Sequence, residues 1–112
     1  MVCITDHAIK RLKQRMGLGH RAALKMAETA FKKGLNHSET RGSLNKYISA
    51  QALEYQKKGN CIKVYGEMVY IFGSTGKTET GEDFGVLITA WYIPNEYKNN
   101  ALKLQKRKKN AA

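Results

Sequence analysis

Apolar positions recur with a helical period over the first half of the chain and with an extended period over most of the second. The first helix is predicted from about Asp6 to Met16. Thr5 or Asp6 can cap it, Asp6 suits the positive end of the helix dipole, and Gly17 and Gly19 stop it. Ile9, Leu12 and Met16 fall in one stripe, while His7, Arg11 and Arg15 form a second stripe beside or opposite it. A second helix is predicted from about His20 to Lys33, with Ala22, Ala23, Leu24, Met26, Ala27, Ala30 and Phe31 on one wide apolar arc and Gly34 placed as its C′ residue. A loop from Asn36 to Gly42 leads to a third helix, Ser43 to about Lys57, with Leu44, Ile48, Ala52 and Tyr55 roughly in line.

After Gly59 the period changes. Cys61–Tyr65 and Met68–Phe72 flank Gly66-Glu67, the Gly-first two-residue loop of a type II′ hairpin. A polar loop from Gly73 through Asp83 precedes a third strand, Phe84 to Ile93, ended by Pro94. The residues beyond Pro94 read as a short frayed helix or a disordered tail. Helices followed by an antiparallel meander predict an α+β fold, with N-terminal helices packed on a C-terminal antiparallel sheet of three or more strands. The expected organisation is one domain over 1–95 and a basic C-terminal tail over 96–112.

Composition narrows the class. The chain has 112 residues, 42% of them hydrophobic and 26% charged, as expected of a globular domain of ordinary size. No apolar run approaches the roughly 20 residues of a spanning helix. The start, Met1-Val2-Cys3-Ile4-Thr5-Asp6-His7, lacks the apolar core of a signal peptide, and two cysteines fit a reducing cytoplasm rather than a disulfide scaffold.

Charge changes the picture more. The formal net charge is +11, and it is unevenly placed. Residues 1–33 carry eight basic and two acidic side chains, and residues 98–112 carry six basic and none acidic. Between them lie six basic and seven acidic side chains. Two basic ends around a neutral middle predict a polyanionic partner, RNA or DNA before an anionic membrane surface. The run Lys106-Arg107-Lys108-Lys109 adds sequence-independent phosphate affinity, or is merely a solvated tail. The aromatic residues Tyr65, Tyr70, Phe72, Trp91 and Tyr92 offer stacking surfaces or core packing, with core the expectation for each singly.

Two motifs are set aside. Gly76-Lys77-Thr78 lacks the glycine five residues before the Gly-Lys pair, where Ile71 stands, and is followed by acids and a strand. His7, His20, His37, Cys3 and Cys61 show none of the close spacings of a structural zinc site, so no metal or other cofactor is expected.

The row His7-xxx-Arg11-xxx-Arg15 is the most specific feature. An imidazole titrates near neutral pH, and guanidinium groups one and two turns along can hold a phosphate and stabilise charge building on it. Metal-free RNA cleavage needs those capacities. A solvated basic helix face needs the same residues, so the row alone leaves both open.

Thr5-Asp6-His7-Ala8-Ile9-Lys10-Arg11-Leu12-Lys13-Gln14-Arg15 resembles the T-x-H-A-x-x-R-x-x-x-R helix of small bacterial and phage proteins grouped with the barnase/EndoU/colicin/RelE-like superfamily of metal-independent ribonucleases. Leu87-Ile88-Thr89-Ala90-Trp91-Tyr92-Ile93-Pro94 is similar to the terminal strand of such proteins. The resemblance implies catalytic positions at His7 and Arg15, a phosphate ligand at Arg11, and a polar strand residue at Thr89; Lys10, next to Arg11, is a further nucleic-acid-binding candidate. Lys63 is added as a strand lysine suited to such a site. No histidine comes after His37, so Tyr70 and Tyr92 are the remaining candidates for a late acid. The implied partner is RNA, with an antitoxin or other protein partner as a further expectation. A non-catalytic module on the same fold, binding nucleic acid or docking its basic face on an acidic protein, is the alternative.

Overall fold

The computed structural model describes residues 2–111. The fold is α+β. Strand β1 (Val2–Ile4) leads into helices α1 (Asp6–Met16) and α2 (His20–Lys33), then a two-residue strand β2 (Leu35–Asn36) and a 3₁₀ turn at His37–Glu39. Helices α3 (Gly42–Gln51) and α4 (Leu53–Lys57) precede the meander β3 (Cys61–Tyr65), β4 (Met68–Lys77) and β5 (Asp83–Tyr92). Helix α5 (Asn95–Ala111) comes last. The sheet order is β1-β5-β4-β3-β2, antiparallel except that β1 runs parallel to β5.

The helices cover both faces of the sheet. One face carries Met68, Tyr70, Phe72, Leu87 and Ala90 against Ala8 and Leu12 of α1 and Ala23, Ala27 and Ala30 of α2. The other carries Ile62, Val64, Val69 and Ile71 against Leu44 and Ile48 of α3 and Ala101 of α5. Period-2 alternation thus sends Tyr70 and Phe72 one way and Ile71 the other.

The structure corrects several of the predicted elements. The third helix breaks at Ala52 into α3 and α4. The polar loop shrinks to 78–82, because β4 continues to Lys77 with irregular register around Gly73 and Gly76. Gly34 does succeed α2, but with extended dihedrals rather than the left-handed form. A Cβ there would lie 2.5 Å from the Ala30 carbonyl oxygen and 3.1 Å from that of Val64, so close packing is what demands glycine. Gly66 has φ of +59° while Glu67 has no positive φ, which matches the predicted type II′ turn.

Over the described residues, the segment after Pro94 is a helix docked on the sheet rather than a frayed or disordered tail. In α5, Ala101 is fully buried, and Gln105 grips the β3–β4 turn through both backbone groups of Gly66, at 2.7 and 2.8 Å. Lys108 donates to the Gly34 carbonyl and to Glu39. The sequence signal for this docking was Tyr97, Ala101 and Leu104, an i, i+4, i+7 stripe within a strongly charged segment.

Candidate nucleic-acid interface

The site begins with an open strand edge. Strand β1 pairs with β5 only across Gly85–Leu87, and the Thr5 N–H donates to the Leu87 carbonyl at 3.1 Å. Thr5 then caps α1 by accepting from the Ala8 N–H, and α1 runs beside the uncovered end of β5. Arg11 donates from Nη1 to Thr89 Oγ1 at 3.4 Å, and Arg15 from Nη1 to the Ala90 carbonyl oxygen at 2.6 Å.

A bulge aims Thr89. Ile71 pairs with Thr89 and Phe72 with Leu87, so Ile88 is an extra residue on β5. Strict alternation would put Leu87, Thr89 and Trp91 on one face. With the bulge, Leu87 packs under α1 and α2 while Thr89 and Trp91 turn to the side of α3 and α4. Gly73 accommodates this irregularity, since a Cβ there would sit 2.6 Å from Ile88 Cδ1.

Arg11, Arg15 and Thr89 thereby share a depression of about 250 Å³ with Tyr47, Gln51, Tyr55 and Trp91. The Trp91 indole N–H donates to the Tyr47 hydroxyl at 3.0 Å. Tyr55 stacks on Trp91 with centroids 6.3 Å apart, and Tyr47 on Tyr97 with centroids 4.8 Å apart. An aromatic wall therefore stands opposite two cations. Each guanidinium has five N–H donors and uses one among the described residues, which leaves donors for an anion. Thr89 is 2% exposed, so its hydroxyl positions Arg11 rather than meeting solvent.

The remaining predicted residues scatter. His7 is exposed on α1, one turn before Arg11, and makes no side-chain hydrogen bond to the described residues. Lys10 is exposed on the same helix. Lys63 stands on β3, two strands from β5, and donates to Asn36 Oδ1 at 2.6 Å; it is not part of this depression. Sequence gives no strand order, and so could not separate it. Lys106 and Lys109 line a groove of about 620 Å³ with Lys33 and Tyr65, remote in sequence from the arginines. Arg107 is exposed, and Lys108 is engaged by Gly34 and Glu39.

Tyr70 is excluded as a proton donor. It is buried in the core and burial pushes its hydroxyl up to about 12. Tyr92 is 45% exposed, with the Lys98 ammonium 5.7 Å from its ring centroid. Burial also pushes the Cys61 thiol up, which keeps it protonated. No group of three His, Cys, Asp or Glu side chains among the described residues could hold a metal ion. No helix of the structure is long and apolar enough to cross a membrane.

Sequence reasoning missed Tyr47 and Gln51, and placed Tyr55 with the core. All three are spaced four apart on the predicted third helix, a stripe that could have been read beside its apolar one. No protein-family model, curated protein or solved structure matches the chain.

Proposed function

We propose that this protein holds single-stranded RNA at the Arg11–Arg15 depression and cleaves it without a metal. The observation that carries the reading is the convergence of two guanidinium groups, a buried threonine and an aromatic wall at one strand edge. Guanidinium groups match a phosphate's planar, bidentate geometry, and Tyr55 and Trp91 offer rings for an unstacked base. In the reaction the 2′-oxygen bonds to the adjacent phosphorus and gives its proton to His7. The bond from phosphorus to the 5′-oxygen breaks, that oxygen takes up a proton from water, the hydroxide so formed takes the proton held by His7, and a 2′,3′-cyclic phosphate remains. Arg11 and Arg15 stabilise the charge that builds on the phosphorane. The resemblance of the first helix to the barnase/EndoU/colicin/RelE-like superfamily supports the same reading.

One observation favours a non-catalytic binding module instead. Among the described residues, the lining of the depression includes no carboxylate and no histidine, and His7 stands a turn outside it.

Incubation of the protein with total RNA in excess chelator separates the two. Cleavage requires fragments ending in cyclic phosphate from the wild type and none from His7→Ala. Intact RNA in both, with a gel shift retained, would establish the binding module and defeat the nuclease. Equal cutting in both would remove His7 from the reaction.

A further inference from the structure

We propose that a second pocket, on the other flank of α3, takes a nucleobase of the bound strand; this rests on the RNA reading above. The pocket has a volume of about 470 Å³ and lies between β3, the 3₁₀ turn, α3 and α4. Its lining contains no Lys, Arg, Asp or Glu, in a chain with 20 basic and 9 acidic residues. Four other depressions each include charged side chains. An uncharged pocket in a protein this basic is suited to a neutral part of a ligand, not to its phosphate.

The polar groups present are those that read a base edge. Gln56 and Asn60 line the pocket, and neither side chain has a hydrogen-bond partner among the described residues. Each carboxamide offers a donor and an acceptor side by side, the arrangement that pairs bidentately with a base. The Asn45 amide nitrogen donates to Thr40 Oγ1 at 2.8 Å, which fixes the side chain and leaves its carbonyl oxygen without a donor among the described residues. His37 Nε2 and Ser49 Oγ are 3.0 Å apart, so that pair is also held in place. The buried Ile62 side chain supplies an apolar surface for a ring.

The two pockets share one wall. Tyr47 and Gln51 of α3 and Tyr55 of α4 face the arginines, whereas Asn45 and Ser49 of α3 and Gln56 of α4 line the uncharged pocket. The separation is about one helix width, ~10 Å. A strand anchored by a phosphate at Arg11 and Arg15 can therefore pass over α3 and place a neighbouring base in the second pocket. Phosphate contacts would then supply affinity, and the carboxamides would supply preference among bases.

The test uses the full chain labelled with ¹⁵N, tracking the side-chain amide signals of Gln56 and Asn60, assigned by their loss in Gln56→Ala and Asn60→Ala. The probes are adenosine, cytidine, guanosine and uridine, with ribose as the control. Both signals are expected to move with at least one nucleoside and not with ribose, and to do so equally in an Arg11→Ala/Arg15→Ala variant. The double variant Gln56→Ala/Asn60→Ala is expected to bind the tightest nucleoside at least about tenfold more weakly. No movement with any nucleoside, or equal movement with ribose, would overturn the proposal. RNA affinity measured alongside keeps the two readings apart. Nucleoside shifts without RNA binding would leave the pocket and remove the RNA reading; RNA binding lost in the arginine variant, without nucleoside shifts, would do the reverse.

Discussion

The carboxylate of Glu39 accepts from the Asn36 backbone N–H and from the Lys108 ammonium, both at 2.9 Å, and so ties the 3₁₀ turn to α5. The Asn36 N–H holds the carboxyl below its usual range; partial burial opposes this, and Lys108 and Lys63 reinforce it. A carboxyl depressed in the folded state contributes stability above its unfolded value and loses it as pH falls through its folded value. Solvent screens a carboxylate that is about a third exposed, so Glu39→Gln is expected to lower stability at pH 7 by only about 0.5 kcal/mol, or roughly 2 °C in Tm. The gap from wild type should close as pH drops below about 4.5, and thermal unfolding between pH 3 and 7 checks it. A gap independent of pH would mean that the charge contributes nothing. At this scale the sequence was informative where a residue type is demanding. Arg11, Arg15 and Thr89 lie on two recognisable segments and do meet, whereas Lys63 was placed by chemistry alone and lies two strands away.

Among the elements, the strongly periodic ones were legible: α1, α2 and the β3–β4 hairpin stand close to their predicted positions. Strands β1 and β2 have three and two residues, too few to show any period, and exist because β5 and β3 provide edges to pair with. The bulge at Ile88 was equally invisible, yet it decides which face receives Thr89. Helix α5 was hidden by its composition, since lysines, asparagines and a glutamine crowd around its one apolar stripe and mask it. Its grip on the sheet is local and testable. Gln105→Ala removes both hydrogen bonds to Gly66 and is expected to cost about 1–2 kcal/mol, seen as a Tm lower by roughly 4–8 °C. An unchanged Tm would show that α5 does not depend on this contact.

Taken as a whole molecule, the chain keeps its two basic ends but folds them against a common sheet. Residues near the N-terminus supply the arginines on α1, and those near the C-terminus supply the lysines on α5. The net charge of +11 was legible from composition; which cations share a depression was not, because that depends on strand order and on the bulge. The most direct measurement is the salt dependence of binding to a single-stranded 2′-O-methyl RNA oligonucleotide, which cannot attack its own phosphate. Affinity of the wild type should fall steeply as salt rises, because each phosphate neutralised releases counterions. Arg11→Ala/Arg15→Ala should weaken binding and flatten the slope of log affinity against log salt by about 1, while Lys63→Ala leaves both unchanged. A double arginine variant with wild-type affinity and slope would contradict the account, because the RNA would then be held elsewhere.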